Sequence, residues 1–442
     1  MNDNSRSPTD LEASIAALWH LNPVDWGELS RAPEFARLCD ICQHRYPTSR
    51  VSPRQRLVFA LSNALRAFGL TNGSTSQGET LISIEDASAQ LDAAFRRTQS
   101  IYTYLCPLDW AGNLPNLTFG SNYIKKFLAA ELEDLVDAPR LKRTHPTRAF
   151  DAECFSEFNW LVVKEVVPLG TKPETRTVRN FSNNFNVDFG SIEPHPDRFP
   201  KSVELALFAL LLVPWEDWTY YAAIDWRAFR VPWIYATHDD IFDLIAPPPS
   251  PDSLSWLQET GTDQHGEEVE FMVPAQLSLD CADASVALND TAWLDLERAR
   301  QSPLFETPIA HFLVRAFLSD GIDEFLAHIT AIEAAVGLGI DYDNRGRPKL
   351  ANCKNPGATK RMAMRLSALL QDQAAATDFE KLFDARSQYL HGRAMDRIPG
   401  ELRVSARRLA RRTVTALTKV ALDNPSLSRD EYLNKLLGSV PF

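Results

Sequence analysis

Residues 378–392 read Asp378-Phe379-Glu380-Lys381-Leu382-Phe383-Asp384-Ala385-Arg386-Ser387-Gln388-Tyr389-Leu390-His391-Gly392. Phe379, Leu382, Phe383, Tyr389 and Leu390 recur at helical spacing and predict one inward stripe. Asp378 suits the N-cap of such a helix and Gly392 its C′ position. Arg386 falls on the apolar stripe, seven residues after Phe379. A lone buried charge is expensive, whereas a paired and hydrogen-bonded one is tolerated. The stretch therefore predicts a helix that carries a cation in need of a partner.

The partner is sought on an earlier helix, predicted over Ile322–Val336. Ile322, Phe325, Leu326, Ile329 and Val336 make its buried stripe, and Glu333 sits on that stripe. Two helices thus each place one charge on a face that should be apolar. Either Glu333 orients Arg386, or both face a polar cleft. A buried ion pair without chemistry fits the same pattern. Between them a further helix over about Lys360–Gln371 turns Met362, Leu366, Leu369 and Leu370 inward. The signal is helical from about Asp283 to the end of the chain.

His391 adds a second chemical group. Residues five apart on an ideal helix point about 140° away from each other. Arg386 and His391 would not meet on a straight helix, but Gly392 lets the chain leave helical geometry just after the imidazole. A histidine at a helix end is often only a polar cap. This one follows an anomalous arginine and precedes a glycine and Arg393.

Arg386-Ser387-Gln388-Tyr389-Leu390-His391 resembles the R-x(4–6)-H motif of HEPN ribonucleases, most closely in the ApeA-like branch. There a serine often follows the arginine and a glycine the histidine, as Ser387 and Gly392 do here. Ala331-Ile332-Glu333-Ala334-Ala335 is similar to that branch's earlier helix, whose glutamate lies in an "LEAL"-like context. The resemblance covers about residues 305–425. Ser387 is also a departure, since many active HEPN nucleases have Asn, Asp or His after the arginine. The resemblance implies a metal-independent endoribonuclease that needs no cofactor. Its composite cleft would form where two HEPN domains pair, so the partners implied are RNA and a second copy of the chain. His391 would act as general base on the ribose 2′-OH and Arg386 would hold the phosphate, leaving a 2′,3′-cyclic phosphate. Such proteins serve as toxins or antiviral, abortive-infection effectors, released by a phage or cellular trigger. A non-catalytic HEPN-bearing binding or dimerisation module is the alternative.

Charge distribution bears on the RNA reading. The chain of 442 residues carries −12, yet residues 381–420 hold ten Lys and Arg against three acids. That window is +7 and the remainder −19. A basic segment on an acidic protein suggests one local anionic partner. The last long helix, over about Glu401–Leu422, turns Leu402, Leu409, Leu417 and Val420 inward. Arg403, Arg407 and Arg411 are expected as one outward row, with Arg408 and Arg412 beside it. Together with Arg393 and Arg397 they would contact phosphates. A solvated face, or one covered by the acidic body, fits equally.

The expected fold class is α+β multidomain. A helical N-terminal region covers 1–145. A mixed, β-containing and aromatic-rich middle domain, a sensor in the family analogy, covers 150–280. An all-α HEPN-like bundle covers 283–442. Trp160 to Val167 is strand-like, and Thr175–Phe189 and Trp218–Trp233 are rich in aromatics. Ala246–Ser255, with four prolines, is a stiff connection. Phosphate-binding glycine loops, G-x-S-x-G and H-E-x-x-H do not occur. Cys39-x-x-Cys42 near His44 lacks the second pair of a structural zinc site and reads as core cysteines. His238-Asp239-Asp240 reads as a turn into a short helix rather than as metal ligands. The longest apolar run, Val203–Trp215, is too short to span a membrane, and the polar start carries no secretory signal. A cytoplasmic protein without a membrane partner is expected.

Overall fold

The computed structural model describes residues 9–21, 26–52, 54–70, 81–148, 150–169, 200–215, 228–277, 283–343, 345–348, 356–392 and 398–438. The aromatic stretch Thr175–Phe189, most of Trp218–Trp233, the Thr71–Thr80 loop, Cys281, Cys353, Arg393 and Arg397 lie outside them.

The chain begins with helices α1 (Asp10–Trp19), α2 (Trp26–Arg31), α3 (Pro33–Arg45), α4 (Arg54–Ala67) and α5 (Ile84–Arg96). Thr9 and Glu12 close a capping box on α1, with 3.3 Å and 2.7 Å hydrogen bonds. Pro33 occupies the first turn of α3, where its missing N–H costs nothing. Apolar faces of these helices share a core that includes Leu11, Phe35, Leu61, Phe68 and Leu91. Cys39 and Cys42 lie in that core, and burial pushes their thiols up to about 11 and about 12.

Strands follow sooner than the sequence suggests. Next come β1 (Gln99–Leu108), β2 (Trp110–Ala111), β3 (Leu117–Phe119), β4 (Asn122–Lys126), α6 (Ala129–Val136), α7 (Ala138–Thr144), α8 (Ala152–Ser156), β5 (Asn159–Pro168), α9 (Lys201–Leu211) and β6 (Tyr235–His238). Four strands therefore fall in the stretch expected to be mainly helical. The cause is burial on both faces: the second half of β1 is apolar on either side, and such a run lacks the alternation that marks a strand. The five-stranded sheet has the order β3-β4-β5-β1-β6, with antiparallel neighbours. Strand alternation sends Tyr104, Cys106, Leu108, Leu161 and Val163 to one core and Leu105, Trp160 and Val162 to another. The second core lies against α6–α8. The first runs on into the C-terminal helices.

Strands β7 (Trp256–Thr262) and β8 (Glu268–Pro274) form a largely exposed hairpin, and β9 (Gln276–Leu277) pairs with β2. Ala246–Ser255 is non-helical apart from one 3-10 turn at Pro251–Ser253. His238 ends β6, and Asp239 and Asp240 lead into a turn without the short helix expected there. Asp240, fully buried, is held by both Arg50 Nη atoms at 2.8 and 3.0 Å. That salt bridge explains the acids better than a helix N-terminus does.

The remaining helices are α10 (Ala284–Ala287), α11 (Asp290–Ala299), α12 (Ile309–Leu318), α13 (Gly321–Val336), α14 (Ala358–Leu370), α15 (Gln373–Leu390), α16 (Gly400–Asp423) and α17 (Arg429–Gly438). Among the described residues no strand lies between Asp283 and Gly438. Their interior is continuous with one face of the sheet, from Tyr104 to Leu436. Residue 283 thus marks a change of secondary structure and not of core. Helix α15 begins earlier than expected, capped by Asp372, whose carboxylate accepts from the Ala374 amide at 2.9 Å. The alanines at its start leave no apolar stripe to read, so Asp378 lies inside the helix. Its inner face is Ala375, Phe379, Leu382 and Ala385, while Tyr389 and Leu390 are exposed. Among the described residues no helix is long and apolar enough to cross a membrane.

Candidate functional site

Glu333 of α13 and Arg386 of α15 face each other. Arg386 Nη1 lies 3.7 Å from Glu333 Oε1, an ion pair too long for a direct hydrogen bond. Their side chains are 27% and 16% exposed. The Arg386 guanidinium also lies over the Phe383 ring, 5.3 Å from its centroid. Burial pushes the Glu333 carboxyl above its ordinary value, and the Arg386 charge only partly offsets this. The two charges read as anomalies on apolar stripes therefore answer each other at the edge of the core.

His391 is the C-cap residue of α15. Its amide donates to the Ser387 carbonyl at 3.1 Å, and Gly392 follows at φ +70°, a left-handed conformation that suits glycine. The imidazole is exposed. No hydrogen bond or ion pair joins Arg386 to His391 among the described residues. One chain thus presents both groups on the last two turns of one helix without joining them.

The raised Glu333 carboxyl gives a stability expectation. Its protonated form fits the fold better than the ionised form. Stability is full below the ordinary value of 4.5 and falls as pH rises through the raised one. Glu333→Gln should therefore melt at or above wild type at pH 7, and the difference should close below pH 4.5. Thermal melts across that range check this. A variant that melts well below wild type at pH 7 would contradict it.

The basic helix is arranged differently from the expected outward row. Arg403 and Arg407 turn inward onto Glu324 of α13, at 3.7 and 2.7 Å. Glu324 is 1% exposed, and the two arginines are 12% and 14% exposed. Arg407 and Arg411 also line an apolar pocket with Leu313, Phe317 and His328. Glu324 is the overlooked signal, a carboxylate on the inner face of α13 whose burial draws in the neighbouring row. Of the second row, Arg412 is bound to the N-cap carboxylate of Asp372 at 2.7 Å, and Arg408 lines a groove with Asp378, Glu401, Val404 and Leu409. Acids of the same helical region thus engage both rows. Arg407→Ala should lower stability by about 1–3 kcal/mol, the usual cost of stripping a buried acceptor. Denaturant titration reads it, and an unchanged midpoint would count against the inward placement.

Asp341, Arg361 and Arg365, all fully buried, escaped sequence reading. Arg365 grips Asp341 through both Nη atoms and donates to the Val336 carbonyl at 3.0 Å and to the Leu433 carbonyl at 3.0 Å. Arg429 of α17 donates to the Ala334 and Gly337 carbonyls at 2.6 and 2.9 Å. Two arginines thereby satisfy the orphan carbonyls at the C-terminus of α13, where cations are favoured. At Gly337 a Cβ would stand 2.6 Å from the Glu333 carbonyl oxygen, so this end of the helix needs a glycine. The network fixes the turn of α13 that carries Glu333. A spacing of four between Arg361 and Arg365, beside Met362 and Leu366, was its trace in the sequence.

Among the described residues, no group of three or more His, Cys, Asp or Glu side chains is placed to hold a metal ion. No family model matches the chain, and no curated protein or solved structure matches it.

Proposed function

We propose that this protein is a HEPN-type endoribonuclease that cuts RNA without a metal, as a homodimer, in the manner of a toxin or antiviral effector of the cytoplasm. The observation that carries the reading is the Glu333–Arg386 pair at the edge of two packed helices, with His391 exposed at the glycine-capped end of the same helix. A planar guanidinium that stays protonated matches a phosphodiester. A histidine whose charge changes near neutral pH suits proton transfer. In the reaction His391 takes the proton of the ribose 2′-OH, and the 2′-oxygen attacks phosphorus. The P–O5′ bond breaks, and the departing 5′-oxygen takes a proton from solvent water. The products are a 2′,3′-cyclic phosphate and a 5′-hydroxyl. Arg386 neutralises the charge that builds on the phosphoryl oxygens. The second copy follows from the resemblance, whose composite cleft takes residues from two paired domains.

The lack of a hydrogen bond or ion pair between Arg386 and His391 among the described residues favours the second reading, a HEPN-bearing module that pairs or binds without cutting. Incubating the protein with mixed RNA in EDTA separates the two. Nuclease activity predicts fragments ending in 2′,3′-cyclic phosphate. Intact RNA with a dimeric protein and its trigger present would leave the binding module.

A further inference from the structure

We infer that the groove beside Glu333, lined by Phe312, Thr330, Glu333, Leu338, Tyr342 and Arg429, is a nucleobase pocket selective for guanine, a specificity site that rests on the ribonuclease reading. Glu333 belongs both to this groove and to the pair with Arg386. A base in the groove would therefore adjoin a phosphate held by the arginine.

Three features point to a base. Tyr342 is 61% exposed, a large ring left in water at the mouth of the groove. Its backbone is nevertheless anchored, because the preceding residue is Asp341, gripped by Arg365 in the interior. A pinned but uncovered aromatic ring is a stacking platform on which a base gains about tenfold in affinity.

The Glu333 carboxylate supplies selectivity. Among the described residues its oxygens accept no hydrogen bond, and its one ion pair is long at 3.7 Å. An ionised carboxylate only accepts, and its two oxygens match two adjacent donors. Guanine presents N1–H and the N2 amino group side by side on its Watson–Crick edge. Adenine, cytosine and uracil each present one donor group there, flanked by acceptors that a carboxylate repels. Arg429 forms the cationic wall. It is 6% exposed, its Nη2 is fixed on the α13 carbonyls, and its Nε has no partner among the described residues.

The test uses the full chain and the four ribonucleoside 5′-monophosphates, titrated by calorimetry. Guanosine monophosphate should bind about tenfold or more tighter than the others, the worth of one bidentate base contact. Tyr342→Ala should weaken it about tenfold, and Tyr342→Phe should retain it. Glu333→Gln should remove most of the preference for guanosine. In cleavage assays Tyr342→Ala should raise KM far more than it lowers kcat, and cut sites should adjoin guanine. Equal binding of all four nucleotides, no binding up to their solubility, or binding indifferent to Tyr342→Ala overturns the pocket. Guanosine binding without any RNA cleavage would uphold the pocket and sink the nuclease. Cleavage with no base preference would do the reverse.

Discussion

Asp341→Ala should destabilise the C-terminal helices by about 3–5 kcal/mol, the cost of removing one partner from a buried ion pair. Asp341 and Arg365 have no solvent exposure, so neither charge can be rehydrated in place. Losing the carboxylate leaves Arg365 with two backbone carbonyls and no counter-charge, and takes the nearby charge from Arg361, whose Nη1 lies 3.9 Å away. The damage reaches further than one contact, because Arg365 ties the end of α13 to α17 through the Leu433 carbonyl. Chemical denaturation followed by far-UV circular dichroism should show an early transition for the helices of this region. Asp341→Leu combined with Arg365→Met should recover most of the loss, since a buried pair replaced by apolar groups of similar volume is often neutral. An Asp341→Ala protein within about 1 kcal/mol of wild type would mean that the pair is hydrated in solution.

What was legible in the sequence divides along a physical line. Helical stripes with their charged exceptions were readable, because an exception is visible only against a clear period. Glu333 and Arg386 stood out in this way, and they face each other. Gly392 was readable as well, because few residues end a helix in the left-handed conformation. Two kinds of feature were not. Strand β1 is buried on both faces and lost its alternation, so the sheet began unseen within residues 99–126. The charges that organise the core, Asp341 with Arg365 and Glu324 with Arg407, depend on long-range partners. A sequence period gives a residue's direction on its own helix, but it does not say which helix comes to meet it. The period alone places the arginine row on α16 outward, where basic residues usually lie, and Glu324 draws Arg403 and Arg407 inward instead. The candidate catalytic residues were therefore legible and the scaffold that holds them was not.

His391→Ala should lower RNA cleavage by about 10²–10⁴-fold, the range for loss of a positioned general base. Arg386→Ala should lower it about 10²–10³-fold, as for loss of a transition-state charge donor. Their effects on folding should differ, and this makes the pair informative. His391 is exposed and held by its backbone amide, so its truncation should stay within about 0.5 kcal/mol of wild type. Arg386 answers a largely buried carboxylate and covers Phe383, so its removal should cost about 1–3 kcal/mol. A lost activity in the histidine variant therefore cannot be blamed on unfolding. The separation of the two groups within one chain adds a sharper expectation. If the composite cleft pairs Arg386 of each copy with His391 of the other, a mixed dimer of the two inactive variants keeps one intact pair. Mixing equal amounts of Arg386→Ala and His391→Ala protein should then restore up to a quarter of the wild-type rate, since about half of randomly formed dimers are mixed and each carries one of the two Arg386–His391 pairs. No recovery after verified subunit exchange would place both groups in one chain's cleft, and full activity in His391→Ala alone would remove the imidazole from the mechanism.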